Sequence, residues 1–383
     1  MIKYRINEPA LSDLEKKYVL DVLEQNWLSA GGNHTEDFEN LVSSYLGVNY
    51  AIAVQSGTAA LHLALKTADV NQDDYVVIPN YSCGATISAV KQCNAIPIVV
   101  DIDPSTYSLD VNSLENVLKK YKVKALQFVH VYGFPAANMN EIVSICSKNN
   151  IILIEDAAEA LGTKINGYMA GSIGDISILS IRSEKMIGVG EGGVLLTSNE
   201  NYYDTAMQLA SRSAPFRTAN SPYWDKYFYD GEGYNYRLPH ILGAIAKAQM
   251  ERFENEILPS KIKVGELYRN IFIDHNDITL QKIVDNSSSC FWLNSILLKN
   301  HSKEYVRKLG LYLQSLGIEV RSGFWPLSNM EGFEPLVFGS QKNGELLYDK
   351  LLVIPSSSSL NGVDVEYISN KIISYLEDYE NEK

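Results

Sequence analysis

The chain has 383 residues, of which 46% are hydrophobic and 21% are charged, a balance typical of folded globular proteins. Its length exceeds that of one ordinary domain, so two domains are expected. The net charge of −13 and the pI near 5.0 argue against broad binding to nucleic acid or to anionic membranes, because both partners require a basic surface.

The first half of the chain shows the pattern of an α/β protein. Ser12-Asp13-Leu14-Glu15 is a capping-box sequence and predicts a helix toward Gln25. Between residues 48 and 197, short apolar runs alternate with amphipathic stretches, as in a mostly parallel sheet with helices on both faces. Strands are predicted at residues 51–54, 76–79, 96–100, 125–131, 151–154, 176–181 and 194–197.

The second half predicts a loop, a long helix and a smaller α+β domain. Residues 202–237 are rich in Tyr, Ser and Pro and give little strand signal, which indicates a long loop of the kind that often carries function. An amphipathic helix is predicted from residue 241 to 256, with Pro259 as the hinge, and strands at 291–298 and 318–321. The predicted domains are therefore residues 1–256 and 257–383, with about 25 N-terminal residues packing on the smaller one.

Lys185 stands at the end of one predicted strand and is the first candidate for chemistry. The sequence Ser180-Ile181-Arg182-Ser183-Glu184-Lys185 leads into the glycine-rich segment 188–193, and a second apolar strand follows. A lysine between two buried strands, faced by flexible backbone, is a candidate Schiff-base former, because desolvation makes its amine a nucleophile near neutral pH. The alternative is a surface lysine in a hairpin, which is the common case for a lone lysine.

Two further segments extend this pattern. The run Ile151-Ile152-Leu153-Ile154-Glu155-Asp156 ends a predicted buried strand in carboxylates, at the sheet edge where α/β proteins collect their chemistry. Asp156 would suit the pyridine nitrogen of a pyridoxal cofactor, or it could cap a following helix. Ser56-Gly57-Thr58 would open a helix whose free amides suit a phosphate, or would be an ordinary helix start.

Together these motifs resemble those of the DegT/DnrJ/EryC1/StrS aminotransferase family. Matches occur in order over nearly the whole chain, and within the family the segment 155–160 is most similar to that of GDP-perosamine synthases. The matching segments are residues 26–29, 56–58, 155–160, 190–193, 233–237 and 318–321. The resemblance implies a fold type I pyridoxal 5′-phosphate enzyme, with a mostly parallel seven-stranded sheet and a smaller C-terminal α+β domain.

The resemblance also implies a role for each matching residue. Lys185 corresponds to the Schiff-base lysine, Asp156 to the partner of the pyridine nitrogen, and Glu159 to the residue beside the cofactor ring. Asn235 corresponds to an asparagine that the family supplies from the neighbouring subunit, which implies a homodimer with shared active sites. The residues that match the phosphate cradle are Gly57, Thr58 and Ser180.

Substrate-side residues are less well defined. Arg321 lies in a segment that contributes to substrate binding in relatives, although it is equally well explained as a surface arginine. Arg212 and Arg217 could face a substrate phosphate, and with Arg182 and Arg321 they are the candidates for a basic patch in an acidic protein. Their alternative interpretation is as solvated side chains.

Two positions depart from the family pattern. The usual Ser-Phe-x-x-x-Lys motif has lost its aromatic residue, and two charges, Arg182 and Glu184, stand beside the lysine. The aromatic residue that stacks on the cofactor in relatives falls on Cys83 by alignment, and Tyr81 is the alternative two residues earlier. Cys83 could instead be a small buried hydrophobic residue.

The expected reaction is transamination, in which an amino group moves from a donor, L-glutamate by family habit, to a keto group. The expected acceptor is a nucleotide-activated sugar for a surface polysaccharide. A dehydratase branch of the family has histidine in place of the lysine, so Lys185 favours transamination. The alternatives are the same reaction on a small phosphorylated ketone, such as a triose phosphate, and a non-catalytic cofactor-binding regulator.

The sequence also indicates a compartment. The four cysteines (Cys83, Cys93, Cys146 and Cys290) share no metal-ligand spacing and form no disulfide framework, which predicts a reducing cytoplasm and no metal site. Residues 1–9 lack the apolar core of a signal peptide, and no apolar stretch approaches the roughly 20 residues of a membrane span. His130, at the end of a predicted strand, is interpreted as a core histidine because the lysine already provides a base.

Overall fold

A computed structural model describes residues 2–213, 229 and 231–381. Within them, eight strands form the large sheet, in the order β1-β9-β8-β5-β4-β2-β3-β14. Strands β2, β3, β4, β5, β8 and β14 run parallel, whereas β9 is antiparallel to both of its neighbours. The strands of this sheet are β1 (Tyr50–Val54), β2 (Tyr75–Pro79), β3 (Ile96–Val100), β4 (Val123–Val129), β5 (Ile152–Asp156), β8 (Ile176–Ser180), β9 (Gly193–Thr197) and β14 (Leu336–Val337).

The sequence pattern accounts for seven of these strands, and the fold class is the predicted one. The eighth, β14, comes from the C-terminal part of the chain and pairs with β3 at the sheet edge. Its two residues are exposed, and the segment shows no alternation of apolar and polar side chains that would predict a strand. Residues 130 and 131, predicted as strand, instead leave β4 and enter a short 3₁₀ turn at Val131–Gly133.

Apolar side chains cover both faces of the sheet. In β2, Val77 points into one hydrophobic core, and Val76 and Ile78 point into another on the opposite face. Leu153 and Ile154 of β5 divide in the same way. This two-sided burial explains why the strands are continuous apolar runs without a polar alternation.

Helices enclose the sheet and build the C-terminal part. The capping box predicted at Ser12 is present at the start of α1. The Ser12 side chain accepts a hydrogen bond from the backbone of the first turn, and the Glu15 side chain accepts one from the Ser12 backbone amide. The helices are α1 (Asp13–Glu24), α2 (Asn33–Leu46), α3 (Gly57–Thr67), α4 (Gly84–Gln92), α5 (Val111–Leu118), α6 (Met139–Asn149), α7 (Glu200–Ala210), α8 (His240–Arg252), α9 (Leu258–Phe272), α10 (Lys303–Ser315), α11 (Lys342–Lys350) and α12 (Gly362–Asn381).

The predicted loop at 202–237 is shorter than expected, because α7 occupies its first residues. Asn199 caps this helix, and Ala206 and Ala210 are its buried positions, four residues apart. The tyrosines around these alanines obscure the spacing of apolar residues by which a helix is recognised in a sequence. Residues 214–228, including Arg217, lie outside the described part of the chain.

The C-terminal part has a third hydrophobic core beside a four-stranded sheet of order β10-β12-β15-β13. Tyr4, near the N-terminus, packs into this core and forms a bridge with Ile318. The strands of this four-stranded sheet are β10 (Thr279–Leu280), β12 (Asn294–Leu297), β13 (Arg321–Ser322) and β15 (Leu351–Ile354). A separate three-stranded sheet contains β6 (Lys164–Ile165), β7 (Tyr168–Met169) and β11 (Ser287–Ser288).

Helices α8 and α9 form one continuous helical segment through a π-helical turn at Phe253–Ile257. Pro259 lies in the first turn of α9, where its missing amide proton is tolerated, and it does not end the helix. The proposed domain boundary after residue 256 therefore falls inside this segment. Among the described residues, no helix is both long enough and apolar enough to span a membrane.

Candidate active site

The segment that carries Lys185 is folded back between β8 and β9. The backbone amides of Ile181 and Ser183 donate to the carbonyls of Gly192 and Gly190, each at 3.0 Å. These bonds close a compact loop after Ser180, the last residue of β8. The loop sets the Lys185 side chain against the body of the protein, where it is 14% exposed.

The Lys185 amine lies between a carboxylate and an aromatic ring. Its Nζ is 3.2 Å from Glu159 Oε1 and 3.6 Å from the centre of the Trp292 ring. The other carboxylate oxygen of Glu159 accepts a hydrogen bond from the Tyr132 amide at 2.8 Å, so the side chain that faces the lysine is itself fixed. The carboxylate and the ring face together fix the position of the amine.

Asp156 ends β5 and is 5% exposed. Its Oδ1 accepts a hydrogen bond from the Ala158 amide at 3.0 Å. Burial above all, with a contribution from the nearby Glu159, raises the pKa of Asp156 to about 6, although the Ala158 amide, Lys185 and His130 oppose this rise. The residues that follow form turns and not an α-helix, so Asp156 is not the helix cap considered as its alternative.

Glu155, the neighbour of Asp156, is buried on the opposite side of the strand and holds the surrounding backbone. Its carboxylate accepts hydrogen bonds from His130 Nε2, from Ser177 Oγ and from the amides of Gly171, Ile173 and Gly174, all at 2.7–2.9 Å. Burial alone would raise the pKa of Glu155, but these donors, His130 first, hold it below its usual value. His130 is fully buried here, which agrees with its interpretation as a core histidine.

The start of α3 packs against the end of β8. Ser56 caps the helix, because its Oγ accepts from the Ala59 amide at 3.1 Å. A Cβ atom on Gly57 would lie 3.0 Å from the Cβ of Ser180 and 3.2 Å from its Oγ, so only glycine fits without displacing Ser180. The first amides of a helix have no partner within it and carry the positive end of its dipole, which suits a phosphate.

These groups surround one cavity of about 290 Å³, close to the lower limit of small-molecule sites. Asp156, a buried carboxylate, stands at one part of its wall, and the start of α3 stands at another. This donor set fits pyridoxal phosphate, which needs an amine, an anion for its ring nitrogen and a phosphate cradle. The predicted residues that line the cavity are Gly57, Thr58, Cys83, Asp156, Glu159, Ser180 and Lys185, and Arg182, one of the arginines considered for a basic patch, lines it as well.

Of the two candidates for stacking on the cofactor, Cys83 lines the cavity and Tyr81 does not. Cys83 is exposed and precedes α4. Tyr81 is fully buried, and its hydroxyl is 2.9 Å from that of Tyr132. The interpretation of Cys83 as a small buried residue is therefore wrong.

Three other predicted residues lie apart from this cavity. Asn235 is exposed, and its backbone bridges to Ser211. Arg212 is also exposed and lines a different cavity, together with Trp27 and Arg237. Arg321 is paired with Glu184 and Glu319, at 2.7 and 2.9 Å.

The sequence interpretation missed Trp292 and the stabilising role of Glu155. Trp292 is more than 100 residues from Lys185 along the chain, and its segment reads only as an apolar strand. The alternation of apolar residues therefore gave no signal that its ring faces the lysine. Glu155 could have been singled out as a charged residue inside a buried strand, since such residues need several partners.

The fold and this site define a fold type I pyridoxal phosphate enzyme. The chain belongs to the DegT/DnrJ/EryC1/StrS aminotransferase family, whose family model matches residues 9–373. It is 32% identical over 376 residues to a GDP-perosamine synthase of Escherichia coli O157:H7, covering 97% of this chain and 98% of that one. A GDP-perosamine synthase of Vibrio cholerae is 31% identical and covers 86% of this chain and 87% of its own length.

Solved structures agree with this assignment. The crystal structure of a DegT/DnrJ/EryC1/StrS aminotransferase from Brucella abortus is 25% identical, covers 95% of both chains and has a TM-score of 0.86. The chain is therefore a pyridoxal 5′-phosphate-dependent aminotransferase.

Proposed function

We propose that this aminotransferase moves an amino group from L-glutamate to the keto group of a nucleotide-activated sugar, for surface polysaccharide biosynthesis. The observation that carries the proposal is that Lys185, Asp156 and the start of α3 line one cavity. The sugar acceptor is supported by the GDP-perosamine synthases, which match this chain over nearly its full length. The glutamate donor rests on the habit of the family.

The side chains of this cavity divide the chemistry among them. When bound, pyridoxal phosphate supplies an aldehyde that bonds to amines and a ring that accepts electrons. Lys185 would provide the amine that holds the cofactor and, once released, would carry a proton between the two carbons that flank the transferred nitrogen. Asp156 holds a proton at the ring nitrogen, and its burial strengthens that interaction because water does not screen it.

Glu159 and Trp292 orient the lysine. The contact at 3.2 Å between Glu159 Oε1 and Lys185 Nζ gives the amine a fixed direction and a nearby proton acceptor. The Trp292 ring covers the amine on another side and excludes water from it. Gly57, Thr58 and Ser180 would hold the phosphate of the cofactor, and Cys83 would contact its ring.

The proposed enzyme is a homodimer in which Asn235 completes the phosphate site of the partner subunit. Asn235 is exposed and lies outside the cavity of its own chain, as a residue supplied to a neighbour would. We place the enzyme in the cytoplasm, because its four cysteines are free.

The second candidate acceptor, a small phosphorylated ketone, keeps the same site and reaction. The relatives do not favour it, since two that match nearly the whole chain are named for a GDP-linked sugar. Arg212, which could have faced the phosphate of such a ketone, lines a cavity other than that of Lys185. A non-catalytic regulator disagrees with the assignment of the chain as an aminotransferase.

One experiment tests donor and acceptor together. Purified protein loaded with the cofactor should absorb visible light, and L-glutamate should bleach that band as its amino group is transferred. Keto sugar nucleotides and phosphorylated ketones are then offered separately, and the compound that restores the band is the acceptor. Restoration by a triose phosphate alone, or bleaching by another amine but not by glutamate, would contradict the proposal. Lys185→Ala is the control and should give no bleaching.

A further inference from the structure

Glu184, the residue before Lys185, is held by three segments that are distant from it in sequence. Its carboxylate takes two hydrogen bonds from Arg321, with Nη2 2.7 Å from Oε1 and Nη1 3.1 Å from Oε2. Its backbone carbonyl accepts from Asn7 Nδ2 at 2.7 Å and from the indole Nε1 of Trp292. Glu184 therefore connects the lysine segment to the N-terminus, to β13 and to the residues before β12.

These contacts act directly on the position of Lys185. The Trp292 indole donates to the carbonyl of residue 184, and the face of the same ring lies 3.6 Å from the Lys185 amine. A shift of Glu184 would therefore move the lysine backbone relative to the ring against which its amine packs. Bidentate pairing with arginine fixes orientation as well as distance, which a single hydrogen bond does not.

The charge of Arg321 is already balanced in this arrangement. Glu184 and Glu319 both contact Nη2, at 2.7 and 2.9 Å. The hydrogen bond from Arg321 lowers the pKa of Glu184 and keeps its carboxylate ionised, and the same pairing raises the pKa of Arg321. An anionic substrate at Arg321 would have to displace one of two carboxylates and would meet the charge of the other.

We propose that Glu184 is a positioning residue, and that its pair with Arg321 fixes the lysine segment and sets the electrostatic potential at the Lys185 nitrogen. Arg321 then acts through Glu184 and not through the substrate. Glu184 is one of the two charges that stand beside the lysine in this chain, at a position that the family motif leaves open. The inference rests on the proposed role of Lys185.

The test is a pH titration of the visible absorption band of the cofactor bound to Lys185, whose midpoint reports the charge at the lysine nitrogen. Glu184→Gln removes a negative charge next to the lysine, so its midpoint should fall by roughly half a pH unit. Arg321→Gln leaves that negative charge unpaired, so its midpoint should rise by a similar amount. Opposite shifts from the two partners are not expected of a merely structural contact.

Glu319→Gln is the matched control, because it removes a carboxylate from the same arginine without touching the lysine segment. Its shift should be less than half that of Glu184→Gln. Steady-state kinetics add a second readout, in which Glu184→Gln and Arg321→Gln should lower kcat severalfold and leave KM for donor and acceptor within about twofold. Thermal unfolding of each holoenzyme checks that the variants fold.

The outcomes separate this inference from the proposed function. A wild-type protein that gives no visible band with the cofactor overturns the proposed function, and this inference with it. A normal wild-type band with unmoved midpoints in both variants, or with shifts of the same sign, overturns only the role of Glu184. A raised KM in Arg321→Gln, with kcat unchanged, would return Arg321 to the substrate site.

Discussion

At Asp156, the requirements of catalysis and of stability oppose each other. Burial raises the pKa of this carboxyl to about 6 in the cofactor-free protein, whereas in the unfolded chain it titrates at its ordinary value of 3.8. Between these two pH values the native state binds more protons than the unfolded state, so native stability falls as the pH rises through this window. At pH 7 the buried, ionised carboxylate therefore destabilises the cofactor-free protein. In the proposed complex, the protonated ring nitrogen of the cofactor would offset this cost.

Asp156→Asn should make the cofactor-free protein more stable at pH 7, by roughly 2 kcal/mol, because the neutral amide avoids burying a charge. The same change should lower kcat by about a hundredfold or more, since the ring nitrogen loses its anionic partner. Urea unfolding at pH 4 and pH 7 measures the first effect, which should vanish at the lower pH. Equal destabilisation at both pH values would contradict this account.

Gly57 is constrained by contact and not by backbone angle. Gly57→Ala would place a methyl group 3.0 Å from Ser180 Cβ and move the two sides of the proposed phosphate cradle apart. Cofactor affinity, measured by equilibrium titration, should fall about tenfold or more, which corresponds to about 1.4 kcal/mol. Gly362→Ala is the control, because Gly362 also begins a helix but has no atom within 4 Å of the added methyl group.

At the scale of elements, Lys261 of α9 ties the N-terminal segment to the active-site wall. Its buried ammonium group donates to Asn7 Oδ1 at 3.3 Å, to the Trp292 carbonyl at 2.7 Å and to the Ser356 carbonyl. Asn7 and Trp292 are the residues that hold the carbonyl of Glu184. One lysine on α9 therefore supports, at one remove, the segment that carries Lys185.

Burial lowers the pKa of Lys261 to about 7, against 10.5 in the unfolded chain, so native stability rises with pH between these values. Lys261→Met should destabilise the protein by roughly 2–4 kcal/mol at pH 9, because it leaves unpaired the buried acceptors to which the neutral amine donates. The loss should be about 1–2 kcal/mol smaller at pH 6.5, where the wild type buries a charge. Urea midpoints at both pH values measure this, and the exposed Lys263→Met should change neither.

Elements formed by local pattern could be predicted from the sequence, and contacts between distant segments could not. The apolar runs predicted the central strands, and Ser12 and Glu15 predicted the start of α1, because each of these patterns lies within a few consecutive residues. Helix α7 was missed because two alanines are its only buried positions. The pairing of Arg321 with Glu184 joins residues 137 apart, and no local period encodes it.

At the scale of the whole molecule, the proposed role of Asn235 would make the oligomer part of the active site. Asn235 does not line the cavity of its own chain, so in its proposed role it would serve a second chain, and in a two-fold symmetric dimer each subunit would serve the other. The proposal of shared sites therefore makes a prediction that no single chain can satisfy.

Lys185→Ala and Asn235→Ala should each be inactive alone, yet regain activity when unfolded together and refolded as mixed dimers. A mixed dimer has one site with both residues intact, and random pairing makes half of the dimers mixed, so about a quarter of wild-type activity is expected. Assay of the refolded mixture, beside each variant refolded alone, measures the recovery. No recovery, despite mixed dimers shown by tagged subunits, would place both residues in one chain.

The π-helical turn between α8 and α9 sets the rotation of α9 about the helix axis, and so determines which side chains of α9 face the interior. Phe253, Ile257 and Lys261 all face the interior across this turn, at intervals of four residues. Each residue of a regular helix turns the chain by about 100°, so one residue fewer in the wide turn would rotate α9 by that angle. Lys261 would then point away from Trp292, and the segment that carries Lys185 would lose this support.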